Sequence, residues 1–323
     1  MVKRMNEILE QISKIGIVPV IALENSEDAA PLAKALCDGG LPCAEVTFRT
    51  AAAEDSIRII TAQFPDMLVG AGTVLTTDQV DRAMEAGAKF IVSPGLNPKI
   101  VKYCIDKNIT VLPGCTNPSD IEQAIELGLT AVKFFPAEAS GGLNMIKAMA
   151  APYTMMKFMP TGGISPANLN TYLDFPKIIA CGGSWMVSND LIKSKNFSEI
   201  AALSKQAVAS MLGFKLAHVG INMNTESEAG ALADTFEQLF DFKKDEKTSS
   251  IFSGTGLEIM KTPYLGAKGH IAIATNYIER AIYHLGMRGF QVDKDTEKYD
   301  GTKLKAVYLV GNYGDFALHL VQR

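Results

Sequence analysis

Lys133 stands where a charge is least expected. The segment Thr130 to Pro136 reads TAVKFFP, a β-branched and aromatic run with one ionisable residue in its middle. On a buried strand, an amine flanked by Val132 and Phe134 loses hydration, which lowers its pKa and frees it to attack a ketone. The bland alternative is a lysine that snorkels to solvent or pairs with a carboxylate. A second segment, AEVTFRT, puts Glu45, Thr47 and Arg49 on one face by the period of two, with Glu45 and Arg49 about 13 Å apart along a strand. A carboxylate near a lysine can shuttle the protons of carbinolamine and enamine formation, and a guanidinium suits the carboxylate of a keto acid. A plain Glu45–Lys133 ion pair fits the same pattern, so both readings stay open.

Two glycine pairs offer a different chemistry. Thr161-Gly162-Gly163-Ile164 leads into a helix opened by Ser165-Pro166, and Gly182-Gly183-Ser184-Trp185 forms a second loop further on. Glycine pairs let backbone N–H groups approach an anion closely, and the loops after the seventh and eighth strands of a β/α barrel commonly hold phosphate. Turn glycines without a ligand are the alternative.

The elements that must position these residues repeat from Val18 to about Leu212. Short apolar runs open near Val18, Cys43, Met67, Lys89, Ile109, Thr130, Met156 and Ile178, each followed by a helix-length amphipathic segment. Ser26 and Thr77 suit N-caps, Pro98 and Pro118 suit first helical turns, and Gly87 and Gly128 suit helix ends. Eight such units predict an α/β fold, a closed (β/α)8 TIM barrel over residues 1–213, in preference to an open doubly wound sheet. After Gly213 strands follow one another, and Ala217-His218-Val219 and Gly269-His270-Ile271 open two similar segments. That internal repeat predicts a smaller α+β domain over residues 214–323, made of two β-α-β-β(-β) modules.

Bulk properties narrow the partners. The chain has 323 residues, 47% of them hydrophobic and 20% charged, with a formal net charge of -4. No broad cationic field exists, so nucleic acid and anionic membrane are not expected as partners. The five cysteines lack metal-finger spacing and read as reduced core residues, which suggests the cytoplasm. Lys3 and Arg4 precede an amphipathic pattern of Ile8, Leu9, Ile12 and Ile15 instead of a signal-peptide core, and no apolar run is long enough to span a membrane.

With Lys133, Glu45, Arg49 and the glycine loops in view, residues 5–212 resemble the 2-keto-3-deoxy-6-phosphogluconate aldolases, also called 4-hydroxy-2-oxoglutarate aldolases. The motifs that carry the resemblance are EVTFRT (Glu45 to Thr50), VGAGTV (Val69 to Val74), SPG (Ser93 to Gly95), KFFPAE (Lys133 to Glu138), PTGGISPAN (Pro160 to Asn168) and GGSW (Gly182 to Trp185). The resemblance implies a class I aldolase, an aldehyde-lyase with Lys133 as the Schiff-base lysine and Glu45 as the acid/base. It implies that Arg49, Thr73, Pro94 and Phe135 line a keto-acid site, and that Thr161, Gly162, Gly163, Gly183 and Ser184 surround a phosphate. The implied reaction is reversible cleavage of the phosphorylated sugar acid to pyruvate and glyceraldehyde 3-phosphate, with 4-hydroxy-2-oxoglutarate as a further substrate and the galactonate-derived epimer as the alternative one. No metal or cofactor is needed, and a homotrimer is the implied assembly. One departure stands out: some relatives carry an arginine around the first strand, whereas Gly16 to Leu23 reads GIVPVIAL, which implies weaker phosphate binding.

All four histidines fall in the last third, and residues 214–323 resemble the vicinal-oxygen-chelate superfamily that includes glyoxalase I. That resemblance implies a divalent transition metal held by His218, Glu258, His270 and His319, with open positions for a chelating substrate. His284 reads as structural. The region is then a metal-dependent enzyme that carries the main activity, or a non-catalytic module.

Overall fold

The computed structural model describes the backbone from Val2 to Arg323 and side chains from Glu7 onward, so Lys3 and Arg4 lie outside the described side chains. The chain divides into two compact units, the first ending at Met211 and the second running from Leu212 to Arg323. Among the described residues no helix is long and apolar enough to cross a membrane. The cysteines are all free, and Cys43, Cys104, Cys115 and Cys181 are buried.

In the first unit the strands are β1 (Ile17–Ile21), β2 (Cys43–Thr47), β3 (Leu68–Gly72), β4 (Phe90–Val92), β5 (Thr110–Leu112), β6 (Ala131–Phe134), β7 (Lys157–Pro160) and β8 (Cys181–Gly183). Strands β1 to β5 pair in parallel in chain order, β6 pairs with β7, and β8 returns to β1. Single bridges close the remaining gaps, Gly114 to Lys133 between β5 and β6, and Phe158 to Ile178 and Thr161 to Gly182 between β7 and β8. The result is a closed parallel barrel with its helices alternating between strands. The strands are short and apolar because both faces are covered, one by the lumen and one by helices. Phe90, Phe134 and Phe158 are fully buried, and each such side chain contributes about 1.5–3 kcal/mol by leaving water.

Local corrections to the sequence reading have simple causes. Thr76, not Thr77, caps the helix Thr77–Glu85 and accepts from the Gln79 N–H, because Thr76 is extended at φ -138° while Thr77 is already helical. Asn25, not Ser26, caps the 3-10 turn Ser26–Asp28 by accepting from the Glu27 N–H. Pro98 and Pro118 do open helices, and Gly87 and Gly128 follow helix ends with φ of 101° and 82°. Ile178 makes one bridge to Phe158, and the eighth strand proper begins three residues on, at Cys181.

In the second unit, one eight-stranded sheet has the order β10-β11-β12-β9-β13-β16-β15-β14. Its strands are β9 (Lys215–Asn222), β10 (Lys244–Glu246), β11 (Ser250–Ser253), β12 (Leu257–Met260), β13 (Gly269–Thr275), β14 (Val292–Asp300), β15 (Lys303–Leu309) and β16 (Phe316–Gln322). Helices Glu226–Phe240 and Ile278–Gly286 follow β9 and β13, so each half runs β-α-β-β-β. An internal two-fold relates the halves. In the antiparallel β9–β13 pair His218 faces Ala272 and Gly220 faces His270, while Glu258 lies opposite Gly220 and His319 opposite Ala272. Directly paired residues share a face, so all four candidate ligands lie on one side of the sheet. The neighbouring residue Ile259 points to the other side, where with Ile251 it packs on Ala229 and Ala233 of the first helix.

Candidate active site

Lys133 on β6 and Glu45 on β2 belong to strands that are not neighbours, so they meet across the lumen. Lys133 Nζ lies 3.1 Å from Glu45 Oε1, with side chains 7% and 1% exposed. The lysine backbone is fixed to the segment after β5 by two bonds, its N–H donating to the Pro113 carbonyl at 2.9 Å and its carbonyl accepting from the Cys115 N–H at 2.8 Å. Glu45 finds room because residue 72 is glycine, since a Cβ there would fall 2.3 Å from Glu45 Oε1. The second oxygen, Glu45 Oε2, is buried and has no hydrogen-bond partner. A buried acceptor left unpaired costs about 1–3 kcal/mol, so this oxygen calls for a partner. One acceptor is therefore free for a water or a substrate hydroxyl beside the lysine. The Phe135 ring lies 5.2 Å from Lys133 Nζ and covers the amine.

The remaining expected residues sit at the C-terminal ends of the strands, the end where barrels of this kind carry their sites. Arg49 is not on the second strand as read from the sequence, because β2 ends at Thr47 and Arg49 lies in the turn beyond it. It is still held to that strand, since Arg49 Nε donates to Thr47 Oγ1 at 3.2 Å and Thr47 Oγ1 donates to the Ile21 carbonyl at 2.8 Å. An exposed guanidinium anchored through one nitrogen keeps its other N–H groups available. Thr73 follows β3 at φ 56°, a left-handed conformation that costs a β-branched residue about 1–3 kcal/mol. Pro94 follows β4, and its carbonyl packs on Gly114, the residue bridged to Lys133.

The glycine loops complete the mouth. Among the described residues the N–H groups of Gly162 and Gly163 have no protein acceptor, and both residues have positive φ, 99° and 81°. Thr161 is buried with no partner for Oγ1, which lies against Gly182. Gly183 ends β8 beneath the Trp185 ring, and Ser184 follows at the surface. Two N–H groups, a hydroxyl and an exposed serine are groups that can donate hydrogen bonds to an anion.

A family model described as KDPG and KHG aldolase matches residues 8–203. The chain belongs to that aldolase family. A 2-dehydro-3-deoxy-phosphogluconate aldolase of Haemophilus influenzae is 54% identical over 202 residues, which is 62% of this chain and 95% of that protein. A KHG/KDPG aldolase of Escherichia coli strain K12 is 43% identical over 192 residues, 59% of this chain and 90% of that protein. The KDPG aldolase of Legionella pneumophila, solved with pyruvate captured as a covalent carbinolamine, has a TM-score of 0.60 at 38% identity, covering 62% of this chain and 97% of that one. The aldolase family is a lyase family, so this chain is an enzyme of that class.

A second cluster lies beyond the residues matched to the aldolase family. His218 Nε2 is 3.1 Å from His270 Nε2, and Glu258 Oε2 lies 3.0 Å and 3.1 Å from these two nitrogens. One donor atom each of His218, His270 and His319 falls within a 4.8 Å group. Ser250 Oγ donates to Glu258 Oε1 at 2.7 Å, and the Tyr308 ring stacks on His319 at 4.6 Å. Burial first, then His270 and His218, push the His319 pKa down to about 3, so this imidazole is neutral and one ring nitrogen offers a lone pair. Burial alone would raise Glu258, but hydrogen bonds from His218, His270 and Ser250 outweigh it and hold the carboxyl well below its usual range. The segment Lys215 to Met223 read from the sequence agrees with β9, in which His218 is the fourth residue and Lys215 and Leu216 already pair with Ala274 and Ile273. His284 is buried on the second helix, edge-on to Tyr283, away from this group on the sheet.

Several residues of the barrel mouth had no role assigned from sequence. Gly72, Glu138 and Asn168 lie inside the quoted motifs and Tyr172 lies outside them; Gly72 packs on Glu45 of the neighbouring strand, Asn168 holds Ser165 and Gly163 of its own loop, and Tyr172 reaches Glu138 across 34 residues.

Proposed function

We propose that the barrel is a class I aldolase cleaving 2-keto-3-deoxy-6-phosphogluconate to pyruvate and glyceraldehyde 3-phosphate. The observation that carries this reading is the buried pair of Lys133 and Glu45 with one carboxylate oxygen left unpartnered. Lys133 Nζ attacks the C2 ketone, and loss of water gives the iminium. Glu45 takes the C4 hydroxyl proton, the C3–C4 bond breaks, and its electrons pass into the iminium to give an enamine and the aldehyde. The enamine takes a proton at C3, and water releases pyruvate from the lysine. Arg49 pairs with the C1 carboxylate, while Thr73, Pro94 and Phe135 wall the keto-acid end. Thr161, Gly162, Gly163, Gly183 and Ser184 hold the phosphate.

Comparison of substrates tests the assignment. The phosphorylated gluconate-derived acid should show a kcat/KM at least about 10-fold above 4-hydroxy-2-oxoglutarate, which lacks the phosphate, and above the galactonate-derived epimer. Equal or better turnover of either competitor would overturn this substrate.

The histidine cluster supports a second activity-bearing site, in a glyoxalase-like unit of the vicinal-oxygen-chelate type. Donor atoms on a transition metal with bonds of about 2.1 Å sit roughly 3.0–3.4 Å apart, and the His218, His270 and Glu258 atoms are spaced at 3.0–3.1 Å. Both ring nitrogens of His319 and Nδ1 of His270 lack hydrogen-bond partners. Imidazole and carboxylate donors suit a divalent transition metal, which would supply Lewis acidity to a chelating oxygen ligand. Equilibrium dialysis against Co2+ should give one bound ion per chain with visible d–d absorption, and His270→Ala should abolish both. Absence of stoichiometric binding to the unaltered chain would eliminate this site.

A further inference from the structure

The TGG loop is gripped from behind by groups on two other segments. In a trans peptide the carbonyl of one residue and the N–H of the next point in opposite directions. The Ala137 N–H donates to the Thr161 carbonyl at 2.8 Å and the Glu138 N–H donates to the Gly162 carbonyl at 3.1 Å. Pinning those carbonyls turns the N–H groups of Gly162 and Gly163 away from the PAE loop. Asn168 holds the following carbonyl, its Nδ2 donating to Gly163 O at 3.0 Å.

Glu138 does more than supply an N–H. Its side-chain stem fills the space that a Cβ on Gly163 would need, 2.5 Å from Glu138 Cγ, so the stem is the seat on which Gly163 rests. Glu138 is exposed and opens the 3-10 turn Glu138–Ser140. The tie comes from Tyr172 on the helix Leu169–Leu173, whose phenol donates to Glu138 Oε1. Tyr172 is 2% exposed. Burial, followed by the hydrogen bond to Glu138 and its charge, raises its pKa far above neutrality, so the phenol stays a donor. A loose carboxylate next to an anion site would also repel the ligand.

We propose that Tyr172, acting through Glu138, is a positioning residue that aims the Gly162 and Gly163 N–H groups at the phosphate of the substrate. This rests on the phosphate-subsite reading given above. With no basic residue in β1, the aim of these N–H groups carries correspondingly more of the phosphate affinity.

Steady-state kinetics of the full chain tests it, with Tyr172→Phe, Glu138→Ala and the double variant. For the phosphorylated acid, KM should rise about 5- to 20-fold with kcat within twofold, the size expected for loss of one anchoring hydrogen bond. For unphosphorylated 2-keto-3-deoxygluconate, kcat/KM should stay within about twofold, and the double variant should be no worse than either single one. An unchanged KM, or an equal rise with both substrates, would overturn the role of Tyr172. Glu138 is exposed, so its variant carries the test even if Tyr172→Phe folds poorly. A wild-type enzyme that does not prefer the phosphorylated acid would instead overturn the phosphate subsite itself.

Discussion

Lys133→Arg leaves a folded protein with turnover reduced by about 10⁴-fold or more, since the nucleophile is gone and the remaining groups act as a unit with it. Arginine is chosen because it keeps a permanent cation opposite Glu45 yet cannot form an imine. Lys133→Ala should lose the same activity and also about 3–5 kcal/mol of stability, because it strips the partner from a carboxylate buried at 1% side-chain exposure. Thermal melts beside steady-state rates separate the two effects. If Lys133 were only one half of a structural ion pair, the arginine variant would keep both stability and turnover.

Glu45→Gln should lower kcat by about 10²- to 10⁴-fold, the range ascribed to a positioned general acid/base. The amide is nearly isosteric, so it fits over Gly72 and still offers an oxygen to Lys133, but it cannot take the C4 proton. The loss should therefore fall on kcat, with KM for the substrate changed by less than about threefold, and pyruvate should still condense with Lys133 slowly. Rates and KM measured together check this split; a loss confined to KM would make Glu45 a binding residue and remove its proton-transfer role.

Much of the barrel is legible in the sequence because one physical fact recurs. A strand closed between lumen and helices must be apolar, so each of the eight runs is visible and the charge at Lys133 in TAVKFFP stands out against it. Glu45 is legible for the same reason. What escapes is whatever depends on contacts between segments far apart in the chain. Arg49 reads as a strand residue because the period of two continues past Thr47, and only the pairing with β3 shows where the strand stops. The break between Ile178 and Cys181 arises from the way β7 and β8 touch at two separate bridges. The Tyr172–Glu138 tie spans 34 residues and joins a short helix to an exposed loop, a relation with no periodic trace. In the second unit the repeat reveals itself through two similar strand openings. The meeting of His218, Glu258 and His270 follows from the register of β12, β9 and β13, in which Gly220 stands opposite both Glu258 and His270.

The most direct measurement is reductive trapping with pyruvate. The full chain is incubated with pyruvate and borohydride, digested, and mapped by mass spectrometry alongside Lys133→Arg. One pyruvate-derived adduct per chain, confined to the peptide containing Lys133 and absent from the variant, is the expected result. An unmodified Lys133, or an adduct on another lysine that persists in the variant, would contradict imine catalysis at this residue.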